Sequence, residues 1–125
     1  MSRFCFSVLV TIAAAVGAGC SGGAPAVSTS KTEATVRGKV EIRGKPVTKG
    51  RVWFDPANYR RKDVAARSAV VAKDGTYSIT TLIGENSVRY EGPATANNRE
   101  LDGMILSYDV KDSEENQFDL VLPPP

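Results

Sequence analysis

Short runs of alternating apolar and polar residues, closely spaced turn residues and no stretch of 3.6-residue periodicity predict an all-β fold, an antiparallel sandwich or barrel of seven strands. A length of 125 residues allows one domain of ordinary size and excludes a multidomain enzyme. The absence of His removes every Ser-His-Asp or Cys-His triad and every imidazole metal site. With an ordered part too small for a deep catalytic cleft as well, the chain reads as a non-enzyme, with no catalytic residue, metal or cofactor expected.

The strands follow in order. From Thr35 to Arg43, Val36, Val40 and Ile42 share one face while Arg37, Lys39, Glu41 and Arg43 take the other, the pattern of a half-buried strand. Gly38 interrupts the apolar face, where it permits a bulge or a close backbone approach. Gly44-Lys45-Pro46 breaks the strand, and Arg51–Asp55 forms the next, with Val52 and Phe54 inward and Trp53 pointing the other way. Residues 68–72 and 76–80 flank Lys73-Asp74-Gly75; Asp-Gly tolerates positive φ, so these two segments are expected to pair as a hairpin. Val88 and Tyr90 alternate with Arg89 and Glu91, and Leu106, Tyr108 and Val110 repeat the pattern. Phe118, Leu120 and Leu122 form the last strand, which Pro123-Pro124-Pro125 ends.

The first residues have a different composition. Arg3 precedes an uncharged apolar run from Phe4 to Val16, of the length of a secretory h-region and too short for a spanning helix. Val16-Gly17-Ala18-Gly19-Cys20 closes it with small residues before a single Cys, and no charge appears again before Lys31. This segment resembles a bacterial lipoprotein signal, although Gly17 stands where a branched aliphatic is usual. The resemblance implies that Cys20 is acylated and becomes the first mature residue; an ordinary secretory signal cut nearby, or an uncleaved anchor, is the alternative. Cys5 lies in the segment to be removed, so no disulfide is expected. Ser21 to Thr32 is small, polar and aperiodic, a flexible spacer whose twelve residues give a mean reach of about 20 Å. The expected domains are a signal over 1–19, the lipidated Cys and linker over 20–33, and a β-sandwich over 34–125.

Four segments carry a resemblance for the remainder: G-K-V-E-I-R-G-K-P-V-T-K-G-R-V-W-F-D-P, A-K-D-G-T-Y-S-I, E-N-S-V-R-Y-E-G-P and N-Q-F-D-L-V-L. In this order they resemble the carboxypeptidase-regulatory-like, or transthyretin-like, β-sandwich domain, as found in small planctomycete-type lipoproteins. The resemblance spans Thr35 to Leu122 and implies a seven-stranded Greek-key sandwich without catalytic machinery. One branch of the fold hydrolyses a purine-derived imidazoline with His and Arg, an activity that a chain without His cannot share. Ile83-Gly84-Glu85-Asn86 departs from the usual P-G-x-Y segment.

Charge is unevenly distributed, with 11 basic and 4 acidic residues from Lys31 to Arg67 but 4 basic and 10 acidic from Ser68 onward. Pairing across neighbouring strands is one reading of this asymmetry. The other is a basic patch on Arg60-Arg61-Lys62 with Arg51 and Arg67, facing anionic headgroups or an acidic wall polymer. Trp53 and Tyr59 are candidate sugar-stacking residues, with cross-strand packing as the plainer role for Trp53. The loop from Pro93 to Gly103 offers Asn97, Asn98, Arg99 and Glu100 for ligand contact. Asp109, Asp112, Glu114, Glu115 and Asp119 lack the spacing of a calcium loop and read as a solvated turn. The function expected is a lipid-anchored, non-catalytic binding or interaction module of the bacterial cell envelope, exported and monomeric. Its partners are the membrane, through acylated Cys20, and an envelope protein or saccharide, with no nucleic acid. A surface carbohydrate-binding module or a structural spacer is the alternative.

Overall fold

The computed structural model describes residues 27–125; the expected signal, Cys20 and the start of the spacer lie outside them. The described residues form nine strands and no helix: β1 Glu33–Ile42, β2 Lys45–Pro46, β3 Arg51–Asp55, β4 Arg67–Val70, β5 Thr76–Leu82, β6 Gly84–Glu91, β7 Leu106–Val110, β8 Asn116–Gln117 and β9 Leu120–Leu122. In one sheet β1 pairs with β2, β5, β8 and β9; the other has the order β4-β3-β6-β7. The two sheets enclose a single apolar core, as the alternating pattern predicts. Val36 and Val40 from β1 and Leu120 from β9 face Val52 and Phe54 from β3 and Val88 from β6, all fully buried.

The strand count differs from the seven expected for two local reasons. After Arg43-Gly44, where both residues take positive φ, the chain doubles back so that Lys45 and Pro46 pair with Ile42 and Glu41. The expected last strand is split at Phe118-Asp119 into β8 and β9. Opposite that split lies Gly38, and the Phe118 carbonyl occupies the space a β-carbon there would need. The Lys39 N–H donates to Asp119 Oδ1 at 3.0 Å instead of to a ladder carbonyl. Gly38 thus serves the close backbone approach that its place in the apolar pattern predicts.

The sandwich is not wholly antiparallel: β8 and β9 run parallel to β1. Val110 at the end of β7 lies opposite Gly84, beside the start of β1, since Glu33 pairs with Leu82. The chain crosses to the first sheet there, so its last strands set out in the direction of β1.

The expected hairpin is a corner between sheets. Lys73-Asp74-Gly75 turns the chain, with the Gly75 N–H donating to the Ala72 carbonyl at 2.9 Å and the Ala72 N–H to that of Thr76 at 2.8 Å. The flanking strands then diverge, β4 pairing with β3 and β5 with β1. Backbone bonds at the turn draw its two sides apart: the Val71 N–H donates to Gly50 on one side, and Gly75 accepts from Val40 on the other.

This topology gives the sandwich two distinct ends. Residues 28–33 lie at the tether end, beside Asn58, Arg61 and Ile83. The opposite, distal end carries the turn after β1, the Gly75 corner and the chain leaving β6 at Glu91.

Candidate functional site

The basic patch expected on Arg60-Arg61-Lys62 is not assembled. Arg61 is only 2% exposed and points inward at the tether end. Its Nε donates to the Pro56 carbonyl at 2.7 Å, and its Nη1 to those of Ser30 at 2.8 Å and Ile83 at 2.9 Å. Burial lowers its pKa from the ordinary guanidinium value, and carbonyl dipoles rather than a carboxylate offset the charge. Asn58 joins the same cluster, its Nδ2 donating to the Ser28 carbonyl at 2.9 Å. Ser28 and Ser30, expected in the free spacer, are held against the fold. Arg51 lies at the other end of β3 and donates to Ser68 Oγ, whereas Arg67 pairs with Glu33 at 2.8 Å across the two sheets. Arg60 and Lys62 remain exposed, with Arg60 5.7 Å from the centre of the Tyr59 ring.

Among the described residues no aromatic platform forms either. Trp53 points outward as predicted but is half-buried, because the Arg89 guanidinium lies 4.8 Å from its ring centre. Among the described residues its indole N–H is buried without a partner. Tyr59, 67% exposed, lies in the loop beyond β3 and does not share the cavity that Trp53 lines. The acidic residues also disperse: Asp109 pairs with Lys111, Asp119 accepts from Lys39, and Asp112, Glu114 and Glu115 stand in solvent.

What the fold does build is a groove across the distal end. One lobe, of about 590 Å³, lies between the turn after β1 and the start of the 92–104 loop. Ile42, Val47 and Pro93 give it apolar walls, and Arg43, Lys45 and Lys49 supply its charge. A second lobe, of about 380 Å³, adjoins it through Arg43, Ile42, Pro93 and Ala94, and adds Asn97, Asn98 and Leu101. Depressions of similar volume lie beside Gly38 and Tyr77, about 510 Å³, and beside Glu33 and Asp112, about 450 Å³, so the lining rather than the volume marks this groove. No carboxylate lines either lobe, and among the described residues none of the three cations forms an ion pair.

The walls are built by local chemistry. Gly50, at φ 105°, lies against Tyr90, whose hydroxyl donates to the Lys49 carbonyl at 2.8 Å and fixes the end of the cationic segment. The 92–104 loop is held by Asn98, whose Oδ1 accepts from the Glu100 and Leu101 N–H groups at 3.0 and 3.3 Å. Leu101 and Thr95 are buried beneath it. Asn98 thus keeps its amide N–H₂ free while its oxygen shapes the loop, and Asn97 is exposed. Of the residues singled out in this loop, Asn97 and Asn98 reach the groove, and Arg99 does not line it. Sequence reasoning missed Arg43, Lys45 and Lys49. The signal was Arg-Gly-Lys-Pro-Val-Thr-Lys-Gly, three cations in eight residues with no acid, in which Arg43 reads as an outward strand residue and Lys45 and Lys49 as turn punctuation.

The class is therefore an all-β, two-sheet sandwich with a cationic end groove. In fold it is similar to a DUF3823 family protein from Parabacteroides merdae ATCC 43184, with TM-score 0.55 and 18% identity over 71% of this chain. It is similar also to a DUF3823 family protein from Bacteroides ovatus ATCC 8483, with TM-score 0.51 and 18% identity over 74%. The chain spans 45% and 44% of the length of those two. A third structure, the dioxygenase domain of a dioxygenase carbohydrate-binding protein fusion from Streptomyces sp. SirexAA-E, aligns at 18% identity over 77% of this chain and 84% of its own, with a TM-score of only 0.43. Comparison with protein-family models and with curated proteins found no match.

Proposed function

We propose that the chain is a lipid-anchored, non-catalytic binding module of the bacterial cell envelope, of the carboxypeptidase-regulatory-like kind, and that the distal groove is its ligand face. The observation that carries this reading is the groove's position. Arg43, Lys45 and Lys49 lie at the end of the sandwich opposite Ser28. Seven residues separate Cys20 from Ser28, so an acyl group on Cys20 would hold the tether end within at most about 28 Å of extended chain. The groove would then face away from the bilayer, where anchoring raises its effective concentration. Both sheets and the resemblance of the strand segments support the family reading. A carbohydrate module built on Trp53 is disfavoured, because Arg89 already covers the indole face.

The test is photocrosslinking of the full-length protein in the bacterial envelope, with benzoylphenylalanine at Thr48 in the groove or at the exposed Thr80 of β5, and mass analysis of its N-terminal peptide. Acylated Cys20, with a defined adduct from position 48 and none from position 80, is the expected result. An unmodified Met1 would overturn the anchoring, and equal adducts from both positions would overturn the groove as the ligand face.

A further inference from the structure

We infer that the groove takes an acidic saccharide, a sugar unit bearing a carboxylate or sulfate within an anionic polysaccharide. This rests on the distal groove being a ligand face and goes on to name the ligand's chemistry. The two lobes offer different groups. The first presents Arg43, Lys45 and Lys49 with the Thr48 hydroxyl; the second presents the amides of Asn97 and Asn98 with Arg43 at the junction.

A bare inorganic anion would use the first lobe alone and leave the amides idle. A neutral saccharide would find the amides but leave three cations uncompensated beside it. A ligand that satisfies both carries an anionic group and, one unit away, several hydroxyls that accept and donate. The Asn98 amide N–H₂ is free to donate to such hydroxyls because its oxygen is already held by the Glu100 and Leu101 N–H groups. The exposed apolar residues of the groove, Pro46, Pro93 and Ala94, match the C–H face of a sugar ring. Tyr90 lines the groove, yet it is 2% exposed with its hydroxyl committed to Lys49, so ring stacking adds little. Charge-assisted hydrogen bonds therefore supply most of the attraction. Lipid headgroups of the anchoring bilayer are a poorer match, since the groove lies at the end opposite Ser28.

Titration calorimetry of the full-length protein in detergent micelles tests this with five probes: trigalacturonate, a sulfated galactose trimer, neutral galactotriose, inorganic phosphate and poly-glutamate. At least one of the two acidic trimers should bind, and galactotriose should bind about tenfold more weakly or not at all. Arg43→Gln should weaken the acidic trimer about tenfold, whereas Asn97→Ala should weaken the trimer and leave phosphate unchanged. Phosphate binding as tightly as the trimers would reduce the site to a simple anion pocket and overturn the inference. Tighter binding of poly-glutamate would assign the groove to an acidic protein instead. Equal binding of galactotriose, sensitive to Asn97→Ala, would keep the groove as a ligand face but defeat the acidic class. If no probe bound, the acidic class would fail; if, in addition, position 48 gave no adduct in the envelope, the binding-module reading would fail with it.

Discussion

Phe118 places its backbone carbonyl in the space that a β-carbon on Gly38 would need, and the Tyr77 hydroxyl donates to that same carbonyl. Gly38 and Tyr77 are register partners on β1 and β5, so one carbonyl of the last segment is clasped between adjacent strands of the first sheet. The Phe118 ring then stacks on Tyr108 at 4.9 Å and meets Phe54 edge-on at 6.5 Å, tying β8 and β9 to the second sheet. Gly38→Ala should therefore cost about 3 kcal/mol or more, because the obstruction is backbone that no rotamer change relieves. Urea unfolding measures it; a midpoint unchanged from the parent would contradict the clasp.

Alkaline pH should loosen the same clasp. Burial, reinforced by the negative charge of Asp119, pushes the Tyr77 phenol well above its ordinary value. The folded protein holds the neutral form, whereas the unfolded chain ionises near pH 10, at about the reference value. Stability from this group is therefore full below about pH 10 and is lost as pH rises above it. Tyr77→Phe should lower stability by about 1 kcal/mol near neutrality, through the lost hydrogen bond, while flattening the alkaline decline. Burial also raises the Tyr90 phenol, so part of the decline should survive in the variant. Denaturant midpoints at pH 8 and above pH 10 check both effects, and an alkaline slope identical in the two proteins would contradict them.

Arg61 should behave as a structural residue and its neighbours as surface ones. Arg61→Met removes the bonds to the Pro56, Ser30 and Ile83 carbonyls and leaves the first buried and the other two part-buried without a donor, a loss of about 2 to 4 kcal/mol. Arg61→Lys should rescue little, since a single ammonium lacks the planar fork that reaches all three. Arg60→Ala and Lys62→Ala should stay within about 0.5 kcal/mol. Thermal unfolding of the four variants checks the contrast. Limited proteolysis should also show earlier cutting near Ser28 in Arg61→Met, as the segment before β1 loses its hold.

Arg89→Ala should uncover Trp53. The guanidinium shields one face of the indole, and its removal should raise acrylamide quenching of the single tryptophan while costing about 0.5 to 1 kcal/mol. Unchanged quenching would mean that the shielding comes from elsewhere on the sheet.

Much of the fold was legible because it follows from a two-residue period. Val36, Val40, Ile42, Val52, Phe54, Val88, Tyr90 and Leu120 are all buried as alternation requires, and Gly38 marked a close approach. What alternation cannot carry is which sheet a strand joins. The Asp74-Gly75 turn looks the same in sequence whether its flanks pair with each other or part, and the choice is made by Gly50 and Val40, which are distant in sequence. The candidate site was legible only in part. Asn97 and Asn98 were visible as polar residues in a long loop, but their meeting with Arg43 depends on the doubling back at Arg43-Gly44. Arg61 misled because composition counts a charge without saying which way it points, and its carbonyl partners are main-chain groups that leave no mark in the sequence.

The groove is tested most directly by hydrogen exchange of the full-length protein with and without the better-binding acidic trimer. Protection confined to peptides covering 43–50 and 92–104, and reduced by Arg43→Gln at trimer concentrations near the parent's Kd, is the predicted result. Protection centred on Trp53 and Arg89, or unaltered by Arg43→Gln, would contradict the distal groove as the ligand face.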